Sequence, residues 1–182
     1  MPRYTAEPGE LELIVETLSE GIGARMAYDV SVRSRGLTLR LDGEPSAPAS
    51  LTGEVTLPVS SFQAHALHRN RNRQPAELSE SDARQIAEKT QAKLKDAFGT
   101  QIRVELSAEG RAGSLVVLAR VHDALIRLEV SQQDAAGGAV EITASGHASL
   151  AALGVPKVKA PLGLMVVADR ITLRVSGQLR LA

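Results

Sequence analysis

This sequence predicts a mainly β protein, an antiparallel up-and-down β-barrel of about eight strands with one mid-chain α-helix. Three observations carry that expectation. Apolar and polar side chains alternate with period two in segment after segment of the 182-residue chain. Pieces rich in Gly, Pro, Ser and Asp, such as "DGEPSAP", "AEGRAG" and "DAAGG", separate those segments. A single stretch switches to helical spacing. Full closure of the sheet is the economical way to leave no strand edge open.

The alternating segments come first. "LELIV" sets Leu11, Leu13 and Val15 against Glu12 and Ile14, and "YDVSV" places Tyr28, Val30 and Val32 on one face. "GLTLRLDG" is stricter: Leu37, Leu39 and Leu41 should be buried together while Thr38, Arg40 and Asp42 face water. "LTGEVTL", "IRVEL" and "AVEITA" repeat the pattern with Leu51, Val55 and Leu57, with Ile102, Val104 and Leu106, and with Val140, Ile142 and Ala144. "SLVVLARV" and "ALIRLEV" read as two strands joined across His122 and Asp123 by a tight turn or bulge.

The helix is expected over about residues 79–98. Ser79 stands three residues before Asp82, as in a capping box, and Gly99 suits a left-handed C-terminal cap. Ala83, Ile86, Ala87, Thr90, Leu94, Ala97 and Phe98 form a narrow apolar stripe, which suits a helix lying over one mouth or side of the barrel.

The last segment, "HASLAALGVPKVKAPLGLMVVADRITLRV", should finish one strand over 147–153 and loop over 154–161, because two prolines would remove ladder donors. A closing strand is then expected over 162–175, with Leu164, Val166 and Ala168 on one face and Met165 and Val167 on the other. Ile171, Leu173 and Val175 continue it as an inward set.

Composition excludes several functions. The chain has no cysteine, so disulfides, thiolate catalysis and Cys-ligated metals are absent. Its 21 Lys and Arg balance 21 Asp and Glu, so no whole-molecule field draws it to nucleic acid. Its few aromatics, Tyr4, Tyr28, Phe62 and Phe98, cannot build a stacking platform for single strands. A chain of this size makes one domain, 1–182. The N-terminus carries glutamates through its apolar stretch, and no segment approaches about 20 apolar residues. A cytoplasmic protein that does not span a membrane is expected.

Polar side chains supply few candidate sites. "HALHRNRNRQ" reads as a loop, and its Arg69, Arg71 and Arg73 form a basic lip suited to an anionic head group. His65 and His68 have no carboxylate at ligand spacing, so no metal site is expected. Asp29 and Asp169 fit strand-end carboxylates that satisfy backbone N–H groups. No nucleophile, base and oxyanion hole assemble, and no catalytic residues are expected.

Three strings resemble those of the YceI-like domains. "GIGARMAYDVSV" resembles the family's early strand with "GHD", "LSESDARQIAEKTQAKL" its helix, and "LGVPKVKAPLGLMVVADRITLRV" its closing segment. The resemblance implies a lipocalin-like barrel whose interior holds a long amphiphile, a polyisoprenoid, an isoprenoid quinone or a fatty acyl compound, with no other cofactor. Tyr28 stands where the family has His. The residues expected to line such a lumen are Tyr28, Val30, Val32, Leu39, Val55, Phe62, Val104, Leu106, Leu164 and Val166. Two other classes stand beside this one: a filled barrel acting through its surface as a stress-related or interaction partner, and a hydrolase or isomerase using His65 or His68 as base. An imperfectly closed strand edge would favour a homodimer.

Overall fold

Nearly every alternating segment becomes a strand, and the strands pair antiparallel throughout. The computed structural model describes residues 2–21, 27–44, 47, 50–69, 74–111, 114–157 and 166–182. Before the helix lie β1 (Arg3–Ala6), β2 (Leu11–Glu16), β3 (Ser19–Glu20), β4 (Tyr28–Ser34), β5 (Thr38–Asp42), β6 (Thr52–Pro58), β7 (Gln63–Arg69) and β8 (Gln74–Ala76). Helix α1 (Glu80–Phe98) follows, then β9 (Gln101–Arg111), β10 (Ser114–Val121), β11 (Ala124–Asp134), β12 (Val140–Ser149), β13 (Val166–Val167) and β14 (Arg170–Leu181).

Eight strands close on themselves. β1, β5, β6, β9, β10, β11, β12 and β14 are hydrogen-bonded in that order, and β14 returns to β1 with Tyr4 opposite Leu181 and Thr5 opposite Arg180. The mainly β, antiparallel barrel with a single helix is therefore the fold observed. β10 and β11 turn on His122 and Asp123, with His122 in the left-handed region at φ 52° and Val121 opposite Ala124. Leu37 and Leu39 are buried and Arg40 is exposed, as the alternation requires, while Thr38 and Leu41 are both half-buried and Asp42 is half-buried and bonded at 2.7 Å by Arg3.

The three strand segments before the helix are each broken, and this shapes the barrel. A turn at Glu7–Glu10 separates β1 from β2, Arg35–Leu37 separates β4 from β5, and a short 3₁₀ turn at Val59–Ser61 separates β6 from β7. Of these halves, β1, β5 and β6 lie in the closed barrel. The second set, β2, β4, β7 and β8, continues as a sheet from β14, and β7 pairs with β8 where β6 paired with β9. A gap opens between β7 and β9. Large buried side chains gather at the breaks: Leu11, Leu37, Leu57, Val59 and Phe62.

Helix α1 covers that gap, touching β7, the 59–61 turn and β9. Its start is held by the Asp82 N–H donating to the Ser79 hydroxyl at 3.1 Å, and its end by Gly99 at φ 73°. The Gln91 amide donates to the carbonyls of Ser60 at 3.3 Å and Phe62 at 2.9 Å, which ties the helix to the third break. No α1 side chain is fully buried, as expected for a helix over an opening.

Three expectations are corrected. Residues 63–69 and 74–76 are strands rather than part of a loop, because this segment continues the broken third strand and turns back on itself. The strand after residue 140 ends at Ser149, not at 153, where a turn over 150–154 begins. The closing strand runs over Arg170–Leu181 and not over 162–175. Asp169 interrupts it, and Val166–Val167 pairs instead with Ser19–Glu20.

One glycine lets β14 serve both halves of the broken first strand. Gly177 takes φ 144°, and a Cβ there would overlap the Glu10 carbonyl oxygen. Gly177→Ala is expected to lower stability by about 1–3 kcal/mol, read as a lower denaturant midpoint with unchanged slope.

Candidate ligand-binding cavity

Period two puts every second side chain of each barrel strand toward the axis, and the size of those side chains decides whether the interior fills. Here they are mostly Val, Leu, Ile and Ala. On β9 they are Ile102, Val104 and Leu106; on β10, Leu115, Val117 and Ala119; on β11, Ile126, Leu128 and Val130. β12 adds Val140, Ile142 and Ala144, and β14 adds Ile171, Leu173 and Val175. They surround a cavity of about 540 Å³. Val104, Leu106, Val117, Leu128, Ile142 and Leu173 point inward yet are only half-buried, which is the mark of a hollow barrel.

Polar groups border this cavity sparsely. Tyr4, Thr17, Ser19, Tyr28, Thr90 and Gln132 contribute hydroxyls or an amide, and among the described residues the charged ones are Lys89 and Lys93 of α1. Thr17 and Ser19 are already committed, their hydroxyls donating to the carbonyls of Val30 at 2.8 Å and Tyr28 at 3.0 Å. Among the described residues no buried side-chain nitrogen or oxygen lacks a hydrogen-bond partner. The interior therefore offers mainly aliphatic surface.

The helix closes one side of the cavity with Ile86, Leu94 and Phe98. The Phe98 ring lies 5.3 Å from that of His122, so the β10–β11 turn braces the end of the helix. Leu150, Leu153 and Val155 line it from the segment after β12. That segment is held by Asp169, whose carboxylate accepts the Ala151 N–H at 2.8 Å. Asp29, buried, accepts the Ser19 N–H at 2.8 Å and anchors β3 against β4. Both aspartates thus satisfy backbone donors.

Of the residues the sequence nominated, Tyr28, Val30, Val32, Leu39, Val55, Phe62, Val104 and Leu106 border the cavity. Val166 does not. It lines a smaller pocket of about 300 Å³ with Leu150 and Val155, and Val167 faces the main cavity instead. The reason is phase, since Val167, and not Val166, shares parity with Ile171, Leu173 and Val175. Leu164, Arg71 and Arg73 lie outside the described residues. Arg69 is exposed, its guanidinium 5.8 Å over the Tyr28 ring. His65 is exposed and His68 half-buried on β7, and among the described residues no three His, Asp or Glu side chains converge as a metal site.

Lys89 and Lys93 were missed because their charge assigns them to the solvated helix face. The signal was their position: each flanks the stripe of Ile86, Thr90 and Leu94 at helical spacing.

Fold and cavity together define a hollow antiparallel barrel with room for one ligand. No protein-family model and no curated protein matches the sequence. Among solved structures, the crystal structure of Burkholderia cenocepacia BcnA is similar at a TM-score of 0.62 and 10% identity, over 95% of this chain and 98% of BcnA. A mutant CJ YCEI protein made for nanotechnology applications aligns over 81% of this chain and 82% of its own, at 11% identity and a TM-score of 0.49. The likeness to BcnA is one of fold, end to end. Among the described residues no helix is long and apolar enough to cross a membrane.

The Asp169 carboxyl is held below its ordinary value of 3.8 by the Ser149 hydroxyl first, then by the Ala151 N–H, with Lys157 adding a favourable charge. Its charged form is the one the fold stabilises, so that contribution is present above pH 3.8 and lost as pH falls through the lower folded value. Asp169→Asn should flatten the loss of thermal stability as pH falls below about 3.8. Hydrogen exchange at the Ala151 amide should accelerate in the variant at neutral pH.

Proposed function

We propose that this protein is a non-catalytic holder of a long amphiphile, whose hydrocarbon chain occupies the barrel interior. A polyisoprenoid, an isoprenoid quinone or a fatty acyl compound is the ligand class. The observation that carries the reading is the aliphatic cavity of about 540 Å³, within the range of about 300–1,000 Å³ usual for ligand pockets.

The chamber opens to solvent, so without a ligand water would wet its aliphatic wall. Water finds few partners on such a wall, whereas each methylene moved from water into it contributes about 0.8 kcal/mol. A chain can be retained with no polar contact along its length. The fold shared with BcnA and the local resemblance to YceI-like domains support the same reading.

Native mass spectrometry of protein purified from cells tests it, with lipid identified in an organic extract. Wild type should carry added mass that extraction removes. Val104 faces the cavity from β9 and sits opposite Val55 of β6, so Val104→Trp should fill the space and lower occupancy several-fold while unfolding stays cooperative. A wild type without bound mass, together with a Val104→Trp loss of about 1–3 kcal/mol or more from overpacking, would instead indicate a solid core and a surface role.

A further inference from the structure

We infer that the ligand's head is anionic, a carboxylate or phosphate held by Lys89 and Lys93; this rests on the chain-holding reading above. Among the described residues these are the charged side chains on the cavity wall, and both are cations. Four residues apart on α1, they stand one turn apart on the same face, with Thr90 between them also at the wall. Two like charges at that spacing repel, and the repulsion is relieved when an anion bridges them.

The charge pattern of the rest of the molecule sharpens the point. On the barrel, Arg3 pairs with Asp42, Arg35 with Glu12, Arg127 with Glu109, Arg174 with Glu16 and Arg180 with Glu10. Among the described residues neither Lys89 nor Lys93 has a carboxylate within 4.0 Å. What sets Lys89 and Lys93 apart is their place: they are unpaired cations that border the aliphatic cavity. A chain bound in the lumen with its head at α1 would bring its terminal charge to these ammonium groups, which hold phosphate or carboxylate as point charges on flexible stems. Both groups are partly in solvent, so the attraction is screened by salt.

Calorimetric titrations with dodecanoate, dodecyl phosphate and dodecanol, below their aggregation limits and at two salt concentrations, test this. The anions should bind about tenfold tighter than dodecanol, the combined effect of two partly exposed ion pairs, and the gap should narrow at high salt. The tighter of the two anions identifies the head-group source. In Lys89→Gln/Lys93→Gln the gap should vanish with dodecanol affinity unchanged, which also reports an intact barrel; Lys89→Arg/Lys93→Arg should keep it. Equal affinity for all three probes in wild type, or an undiminished gap in the Gln variant, overturns the head-group assignment and leaves the chain-holding reading standing. Failure of all three to bind overturns both.

Discussion

The structure depends on one unbroken strand pairing with two halves of a broken one. β14 carries β1 at its C-terminal end and β2 along its middle, on the same edge, with Gly177 opposite the junction. Through β1 the sheet closes into a barrel of eight strands; through β2 it continues into a sheet that leaves the barrel wall. A barrel whose first three strand segments ran straight would close along its full height. This one closes over part of it and opens toward β7 and β8.

The opening explains the helix. A gap between β7 and β9 would expose the inward side chains to water, and α1 covers it with a stripe too narrow to be a core helix. Its attachments are local and polar where it meets the third break, through Gln91, and apolar where it meets the cavity, through Ile86, Leu94 and Phe98. The same placement brings Lys89 and Lys93 to the lumen wall. A helix serving as a wall panel therefore contributes both the apolar surface and the charge of the cavity.

The cavity itself follows from side-chain size. Two Phe, two Tyr and no Trp in the whole chain leave the inward positions to aliphatic residues. Those are long enough to pack where strands converge at the breaks, around Leu11, Leu57 and Phe62, and too short to meet across the barrel between β9–β12 and the opposite wall. Hydrophobic burial is concentrated at one level, and the remaining inward surface is available to a ligand chain.

Much of this was legible locally. Alternation identified the inward residues of β5, β9, β12 and β14, because a strand with one wet face must repeat every second residue. Ser79, Asp82 and Gly99 marked both ends of α1, because capping is satisfied within a few residues of chain. The small inward side chains pointed to a lumen, and Val104 and Leu106 border the cavity. Tertiary structure decided what local pattern does not encode. It made residues 63–69 a strand, since "QAHALHR" is specified by its neighbours on β4 and β8 rather than by its own periodicity. It ended the long apolar run before Asp169, because Val166–Val167 pairs with β3 instead of continuing β14. It also set Lys89 and Lys93 against an apolar wall: a helix sequence defines which residues share a face, but only the gap between β7 and β9 determined what that face would meet.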